Sequence, residues 1–478
     1  MILYRKLVIQ TIIYSIGFVF PRIVNYVFLK FFTVCFKREE FSLYTDMYAL
    51  SFIVIGFLSF GLENTYFRFL YKKNYNKEIV FSTGVIIQLL ISSFFLVISI
   101  NLIKYLSFIA GYHHHSEYFF MFFFIIFFDT ICVLPMAWLR ANDKPIQYST
   151  ISIVNILMQS FLIVYLFFYS DNIFYGRISS FTDKIGYIFF SNMISSLLNL
   201  FLVLPILLKK VTIKKFNKTL AIKMLNYGIP IMIGTIAFSI NENLDKILIK
   251  RWVSDEINGA YSACYKIASF MSLYLRIFRL GIEPFFFKKS KDSDAIYFYE
   301  EIIYMFILFG LIFYVLICGN INMFMEFLID KKYHVAIPII PIIMMGNLFL
   351  GIYTNLSIFY KIIDKPIIGT YISLIGVLIT FLFNAIFIFI STDNSFMIPA
   401  WGTFTSYGFM LIVLYLWGKK QFLQFCNKKI KNIIMHFLFA LFIVFIIKKE
   451  MKLSFLLQFL YLIIIFFLEK KRFSNLIK

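Results

Sequence analysis

Apolar stretches long enough to cross a membrane recur along the whole chain, and they constrain its fold more than any other feature. A helix that crosses the hydrocarbon core of a bilayer needs about 20 mostly apolar residues. Of the 478 residues, 61% are hydrophobic and only 15% are charged, which is far from the composition of a soluble domain. The sequence therefore predicts an all-α integral membrane protein with about 14 transmembrane helices.

Short polar or basic loops separate the predicted spans from one another. The last two spans are the weakest, because each holds only about 15 apolar residues and the loop between them is basic. The predicted spans are 7–34, 43–70, 79–110, 118–139, 148–170, 184–208, 222–250, 258–283, 295–323, 335–360, 367–390, 397–417, 431–447 and 454–468.

The excess of basic residues, a formal net charge of +21, has a direct use in a membrane protein. Lysine and arginine in short loops are retained on the cytoplasmic side. With the N-terminus in the cytoplasm, 28 of the 46 basic residues fall in inside segments, 11 in outside loops and 7 within spans. This bias predicts an even number of spans with both termini cytoplasmic, and it explains the charge without a nucleic-acid partner.

Two short patterns return at nearly the same offset, which indicates an internal duplication. The Asp-Lys-Pro-Ile of residues 143–146 returns at 364–367, 221 residues later, and the Tyr-x3-Tyr of 44–48 returns at 261–265, 217 residues later. Six spans per repeat is an even number, so the two halves are predicted to have the same orientation and to be pseudo-symmetric. The predicted domains are an N-terminal six-helix lobe at 1–208, a cytoplasmic linker at 209–223, a C-terminal six-helix lobe at 224–420, and two extra helices with a basic tail at 421–478.

Charged side chains concentrate in one apolar stretch, residues 226–287. A charge inside an apolar span is costly, so by default it faces a bundle interior or a water-filled cavity. Arg276, Arg279 and Glu283 follow i, i+3, i+7 spacing and share one helix face. These charges either neutralise one another and hold two helices together, or line a polar, partly cationic cavity. We favour the cavity.

The first half of the same stretch adds acidic candidates. Glu242 and Lys246 form an i, i+4 pair in the favourable order, and Asp245 lies between them. Lys266 lies in the second half. Glu242 and Asp245 are candidate sites for a coupling cation or proton, whereas Lys266 joins the cationic set.

Three further charges lie in the N-terminal half. Arg22 follows Pro21 in the first span and either faces the cavity or is partnered by a neighbouring helix. We expect the cavity, since a lipid-facing arginine would be costly. Asp46 opens the second span. Asp129 lies in the middle of the fourth span and is either a proton or cation site or a hydrogen-bonded structural acid.

No pattern of enzyme chemistry accompanies these charges. The chain has no Gly-rich phosphate loop, no G-x-S-x-G and no H-E-x-x-H. Its five cysteines are scattered without a C-x-x-C, so they indicate neither a zinc site nor a disulfide framework. A saccharide polymerase or ligase would present a large outside loop, and no outside loop here exceeds about a dozen residues. We therefore expect a protein that is not an enzyme, without a bound metal.

Several motifs resemble those of lipid-linked oligosaccharide flippases. These flippases form the polysaccharide-export branch of the multidrug/oligosaccharidyl-lipid/polysaccharide superfamily, and the resemblance is to members of the Bacteroidetes type. The motifs are Glu40-Phe41-Ser42-Leu43-Tyr44, residues 60–69 (FGLENTYFRF), residues 138–145 (WLRANDKP), residues 240–246 (INENLDK) and residues 283–287 (EPFFF).

The resemblance implies two six-helix lobes around a central cationic cavity that opens alternately to each side of the bacterial inner membrane. It implies transport of an undecaprenyl-diphosphate-linked oligosaccharide, an O-antigen or surface-polysaccharide repeat unit, to the periplasmic leaflet. Membrane lipids and polysaccharide-assembly proteins are further expected partners. No cofactor is implied beyond a coupling Na⁺ or H⁺.

Peptidoglycan lipid II flippases of the same superfamily have a cavity arginine on helix one, an aspartate at the start of helix two and an arginine on helix eight. Arg22, Asp46 and either Arg276 or Arg279 occupy similar places. The arginines that this branch carries in helix two are not evident inside the span here. A lipid II flippase and a drug/cation antiporter of the same superfamily remain alternatives, and the three arginines weigh against the antiporter.

Overall fold

The structure is a computed structural model. It describes residues 2–71, 75–173, 184–289, 295–362, 365, 367–389, 396–421, 427–449 and 454–477.

The described residues form α-helices joined by short turns and two 3₁₀ segments, with no strand among them. The predicted all-α membrane fold is confirmed. In chain order the helices are α1 Ile2–Cys35, α2 Arg38–Leu58, α3 Leu62–Leu70, α4 Lys77–Asn101, α5 Ile103–Ile109, α6 Ser116–Ala141, α7 Pro145–Ile173, α8 Ile185–Lys210, α9 Lys218–Trp252, α10 Asp255–Ala268, α11 Phe270–Lys289, α12 Ala295–Gly319, α13 Ile321–Leu328, α14 Ile339–Leu356, α15 Ile358–Ile362, α16 Ile367–Phe389, α17 Met397–Gln421, α18 Asn427–Lys449 and α19 Ser454–Ile477.

Twelve segments of the described chain are helical, long and apolar enough to cross a membrane. They coincide with twelve of the fourteen predicted spans. The predicted eighth span is interrupted at Ser269, which separates α10 from α11. The predicted fourteenth span is the helix α19, which is not among the twelve. The chain is a multi-pass helical membrane protein.

The helices group into two compact units. Unit 1 comprises Met1–Phe28 and Leu43–Ile247, and unit 2 comprises Leu29–Ser42 and Leu248–Lys478. The predicted lobes, the linker and the C-terminal pair of helices stay predictions.

In unit 1, α6 packs against α4, α7 and α8, and the short helix α3 closes one end of this bundle. Gly61 adopts a left-handed backbone with φ 58°, which ends α2 and lets α3 begin in a new direction. Gly228 of α9 meets this turn so closely that a Cβ there would lie 2.3 Å from the carbonyl oxygen of Phe60. Tyr66, Phe81, Leu134 and other buried side chains then fill the space between these helices.

In unit 2, α14 and α17 form the centre, with α16 packed on α17 and α12 packed on α14 and α18. The turn between α1 and α2 also belongs to this unit. Tyr333 donates its hydroxyl hydrogen to the carbonyl oxygens of Phe36 and Lys37, at 2.9 and 3.0 Å. Burial raises the pKa of Tyr333 well above its usual range, so it stays a hydrogen-bond donor at physiological pH.

Candidate functional site

The predicted site residues are divided between the two units. Five lie in unit 1 and four in unit 2, so their convergence on one cavity stays a prediction. The unit 1 residues are Arg22, Asp46, Asp129, Glu242 and Asp245, and the unit 2 residues are Lys266, Arg276, Arg279 and Glu283. The side chain of Glu283 lies outside the described residues, although its backbone belongs to α11.

Asp46 is fully buried in unit 1. Its Oδ2 accepts a hydrogen bond from the hydroxyl of Tyr112 at 2.5 Å. A buried carboxylate needs such a donor, because leaving it without one costs free energy. Asp46 thus has a role in tying α2 to the segment between α5 and α6, in addition to the predicted role in substrate binding.

Arg22 is half-buried on α1. Its guanidinium carbon lies 4.1 Å from the centre of the Phe18 ring, one helical turn before it. A guanidinium over an aromatic face is stabilised electrostatically and keeps its charge. Arg22 is therefore held in place as a cation within a membrane-spanning segment.

Lys246 of α9 is the counter-ion of Asp245 on the same helix. Asp245 is 1% exposed, and its Oδ1 lies 3.2 Å from the ammonium nitrogen of Lys246. The same ammonium donates to the backbone carbonyl oxygen of Glu242 at 2.5 Å. The charge of Asp245 is thus compensated within the helix, which sets it apart from Asp129.

The predicted cationic site residues of unit 2 lie on two successive helices, α10 and α11. Lys266 is exposed near the end of α10, and Arg276 and Arg279 are half-buried on α11. Among the described residues, no acidic side chain pairs with Arg276. A half-buried guanidinium without an acidic partner in the described part of the chain is suited to bind an anion such as a phosphate.

Unit 1 contains a cavity of about 340 Å³ that joins one predicted residue, Asp129, to residues that the sequence analysis did not select. Four helices supply its walls: α3, α6, α7 and α8. The lining residues are Glu63, Asp129, Cys132, Val133, Met136, Arg140, Tyr148 and Asn199.

One face of α6 supplies most of this lining. Asp129, Val133, Met136 and Arg140 follow i, i+4, i+7, i+11 spacing, so they form one stripe along the helix. The rise of 1.5 Å per residue places Asp129 and Arg140 roughly 16 Å apart along the helix axis. The cavity therefore has an acidic group towards one end and a cation at the other.

An ion pair joins Arg140 to Glu63 across α6 and α3. The guanidinium carbon of Arg140 also lies 5.3 Å from the ring centre of Phe67 and 5.8 Å from that of Tyr148. The two charged side chains are 36% and 42% exposed. Their charges are therefore partly solvated, and an anion in the cavity can compete with Glu63 for the guanidinium.

Asn199 on α8 adds a polar group to the same cavity. Its Oδ1 is buried and has no hydrogen-bond partner within the described part of the chain. A buried oxygen of this kind is ordinarily satisfied by a water, an ion or a ligand. The cavity thus offers both an acceptor and the carboxyl group of Asp129 to a small cation or a proton-bearing group.

Arg140 and Glu63 are not among the site residues that the sequence predicted. The stripe on α6 was the signal that could have identified Arg140, because it repeats at helical spacing from Asp129. No sequence signal indicated Asn199 or the pairing partner of Arg140. Among the residues that the structure describes, no group of three or more His, Cys, Asp or Glu side chains is arranged to hold a metal ion.

A comparison with known protein families identifies a match to this chain. The model of the family described as "Polysaccharide biosynthesis protein" matches residues 7–288. Comparison with curated protein sequences gives no significant match.

Solved structures share the fold at low sequence identity. A structure of the lipid II flippase MurJ in an inward closed conformation is 18% identical, with a TM-score of 0.72, over 98% of this chain and 100% of that one. An inward-facing multidrug resistance MATE family transporter of the MOP superfamily is 11% identical, with a TM-score of 0.65, over 86% and 94%. A mutant of the Vibrio cholerae MATE transporter VcmN is 12% identical, with a TM-score of 0.61, over 87% and 97%. These likenesses establish a shared fold.

Proposed function

The chain belongs to the family of polysaccharide biosynthesis proteins, and on that premise we propose that it transports a lipid-linked saccharide. The substrate is an undecaprenyl-diphosphate-linked oligosaccharide, a repeat unit of O-antigen or another surface polysaccharide. The protein moves it from the cytoplasmic to the periplasmic leaflet of the bacterial inner membrane by alternating access. It acts as a transporter and not as an enzyme, and both termini are cytoplasmic.

The observation that carries this proposal is the half-buried Arg276, which has no acidic partner among the described residues. Charges within membrane helices are rare and mark substrate or ion pathways. A diphosphate needs permanently charged donors with a fork-shaped geometry, and arginine supplies them better than lysine. Within unit 2, Lys266 and Arg279 add further cations, and Glu283 lies one turn from Arg279 along α11, where we expect it to tune that arginine. The contribution of Arg22 and Asp46 of unit 1 to the same site stays a prediction.

Asp129 is the preferred site for the coupling Na⁺ or H⁺. It lines a cavity that also contains Asn199, whereas Asp245 is already paired with Lys246. Glu242 is the remaining candidate on α9. A coupling cation at Asp129 would link the state of the unit 1 cavity to transport.

The test is transport of a labelled polyprenyl-diphosphate saccharide in proteoliposomes containing the Arg276→Ala variant. A desolvated, charge-assisted hydrogen bond is worth about 1.5–3 kcal/mol. Transport should therefore fall about ten-fold or more, and Arg276→Lys should restore only part of it, because an ammonium cannot bind in a forked geometry.

The matched control is Arg38→Ala, in the same unit. Arg38 pairs with Glu256 at 3.0 Å near the surface, so its loss should leave transport near the native rate. Native transport by Arg276→Ala would contradict the proposal. Running the assay with lipid II and with an organic cation distinguishes the lipid II flippase and antiporter alternatives, since each predicts transport of its own substrate by the native protein.

A further inference from the structure

A second cavity in unit 1 contains none of the predicted site residues. It has a volume of about 470 Å³ and lies between the end of α6, the start of α7 and the end of α8. Its rim is basic and its walls are largely apolar. The lining residues are Trp138, Leu139, Lys144, Ile146, Gln147, Thr150, Ile151, Leu202, Pro205, Ile206, Lys209 and Lys210.

Three lysines, Lys144, Lys209 and Lys210, give this cavity its charge. All three are exposed, and no carboxylate is among the lining residues. Glu78, an acidic side chain of the neighbouring helix α4, is engaged by Lys215 at 2.6 Å. Within the described chain, none of the three lysines forms an ion pair with a carboxylate, although Lys210 lies close enough to Glu78 to interact with it electrostatically. Three cations against this one distant carboxylate leave the rim with a net positive charge that attracts an anion.

The apolar walls favour a particular kind of anion. Ile146 is 68% exposed and Leu202 is 37% exposed, and the adjacent Leu208 is 74% exposed. In a membrane protein such side chains face acyl chains, so the cavity continues into a lipid-facing surface. A small inorganic anion gains nothing from these walls, whereas a phospholipid gains from both the lysines and the walls.

We propose that this cavity binds an anionic phospholipid of the surrounding membrane. Its phosphate lies among Lys144, Lys209 and Lys210, and its acyl chains follow Ile146 and Leu202. Basic pockets between transmembrane helices are suited to such headgroups, because both charge and depth match the interface. The proposal does not depend on the transported substrate.

Trp138 provides a direct probe. The ammonium nitrogen of Lys144 lies 4.9 Å from the centre of the Trp138 ring, so the indole is adjacent to the proposed headgroup. The chain has four tryptophans, and replacing Trp252, Trp401 and Trp417 by Phe leaves Trp138 as the single emitter. The measurement is quenching of its fluorescence in nanodiscs by phospholipids brominated near the headgroup.

Brominated phosphatidylglycerol should quench Trp138 at a mole fraction at least five-fold lower than brominated phosphatidylcholine. Five-fold corresponds to about 1 kcal/mol, the contribution of one lysine near a membrane surface. Combined Lys144→Gln, Lys209→Gln and Lys210→Gln substitutions should abolish this preference, and each single substitution should reduce it. Equal quenching of the native chain by the two lipids would overturn the proposal.

The matched control changes three exposed lysines of unit 1 that do not line the cavity, Lys77, Lys214 and Lys218, to Gln. It removes the same charge and should keep the preference. An equal loss in the control would show that only general surface charge attracts the lipid. Inorganic phosphate, compared with sodium chloride at equal ionic strength, should not reduce quenching. Displacement by phosphate would identify a free-anion site and would also overturn the lipid assignment.

Discussion

Each unit contains an acidic side chain paired with a basic one between helices, but the two pairs have different access to water. In unit 1, Arg140 and Glu63 are 36% and 42% exposed and line a cavity. In unit 2, His436 of α18 and Glu469 of α19 are 1% and 5% exposed. A half-exposed pair can exchange its partner for a ligand at low cost, whereas a buried pair cannot.

The pair in unit 2 belongs to a network that spans three helices. The Oε1 atom of Glu469 lies 3.2 Å from Nε2 of His436 and accepts a hydrogen bond of 2.6 Å from the hydroxyl of Tyr304 on α12. Nδ1 of His436 is buried and has no partner among the described residues. The network therefore joins α19 to α12 and α18 as a structural connection.

Glu469→Ala should produce the largest loss of stability, because it leaves His436 and Tyr304 buried without their shared acceptor. Leaving a buried hydrogen-bond donor without its acceptor costs about 1–3 kcal/mol. The thermal unfolding midpoint of the purified protein should fall clearly. Glu326→Ala, at an exposed acidic residue of the same unit, is the control and should leave the midpoint unchanged. A loss below about 1 kcal/mol for Glu469→Ala would show that the network does not hold α19.

Hydropathy was enough to predict most of the helices, but not the Arg140–Glu63 pair or the network around Glu469. Each predicted span corresponds to helical structure, because about 20 apolar residues in lipid have few alternatives to a helix. The break at Ser269 was not predicted, since the residues around it remain apolar enough to read as one span. Glu469 lies one residue beyond the predicted fourteenth span and next to Lys470 and Lys471, so hydropathy did not select it, although it is 4% exposed in the fold.

The candidate site was predictable only where a charge is unusual within its own helix. Asp129 stands out because it lies in the middle of an apolar helix, and Arg276 stands out for the same reason. Arg140 lies at a helix end, where arginine is ordinary. Its pairing with Glu63 joins residues 77 positions apart, and only the packing of α3 against α6 brings them together.

Arg140→Ala tests the half-exposed pair of unit 1, Arg140 and Glu63. Because the pair is half-exposed, its loss should change the free energy of unfolding by no more than about 1 kcal/mol. Transport should fall about ten-fold, equivalent to about 1.4 kcal/mol, if the cavity takes part in the transport cycle. Proteoliposome transport and the unfolding midpoint should be measured on the same preparation.

Arg140→Lys and Glu63→Gln sharpen this result. Lysine keeps the charge but loses the fork geometry, so partial transport is expected. Glu63→Gln releases the guanidinium without removing it, and should affect transport less than Arg140→Ala. A large loss of stability with unchanged transport in Arg140→Ala would make the pair of unit 1 structural, like that of unit 2, and would remove the contrast.

The smallest expected effect comes from Tyr304→Phe, which removes one hydrogen bond from the network and almost no volume. Glu469 keeps His436 as a donor, so the cost should be that of a single hydrogen bond, about 0.5–1.5 kcal/mol. Tyr461→Phe on α19 is the matched control. Its hydroxyl is also buried but has no partner among the described residues, so its removal should be neutral or stabilising. Unfolding midpoints of the two variants give the comparison directly. If Tyr304→Phe proves as harmless as Tyr461→Phe, the 2.6 Å contact between Tyr304 and Glu469 contributes no stability.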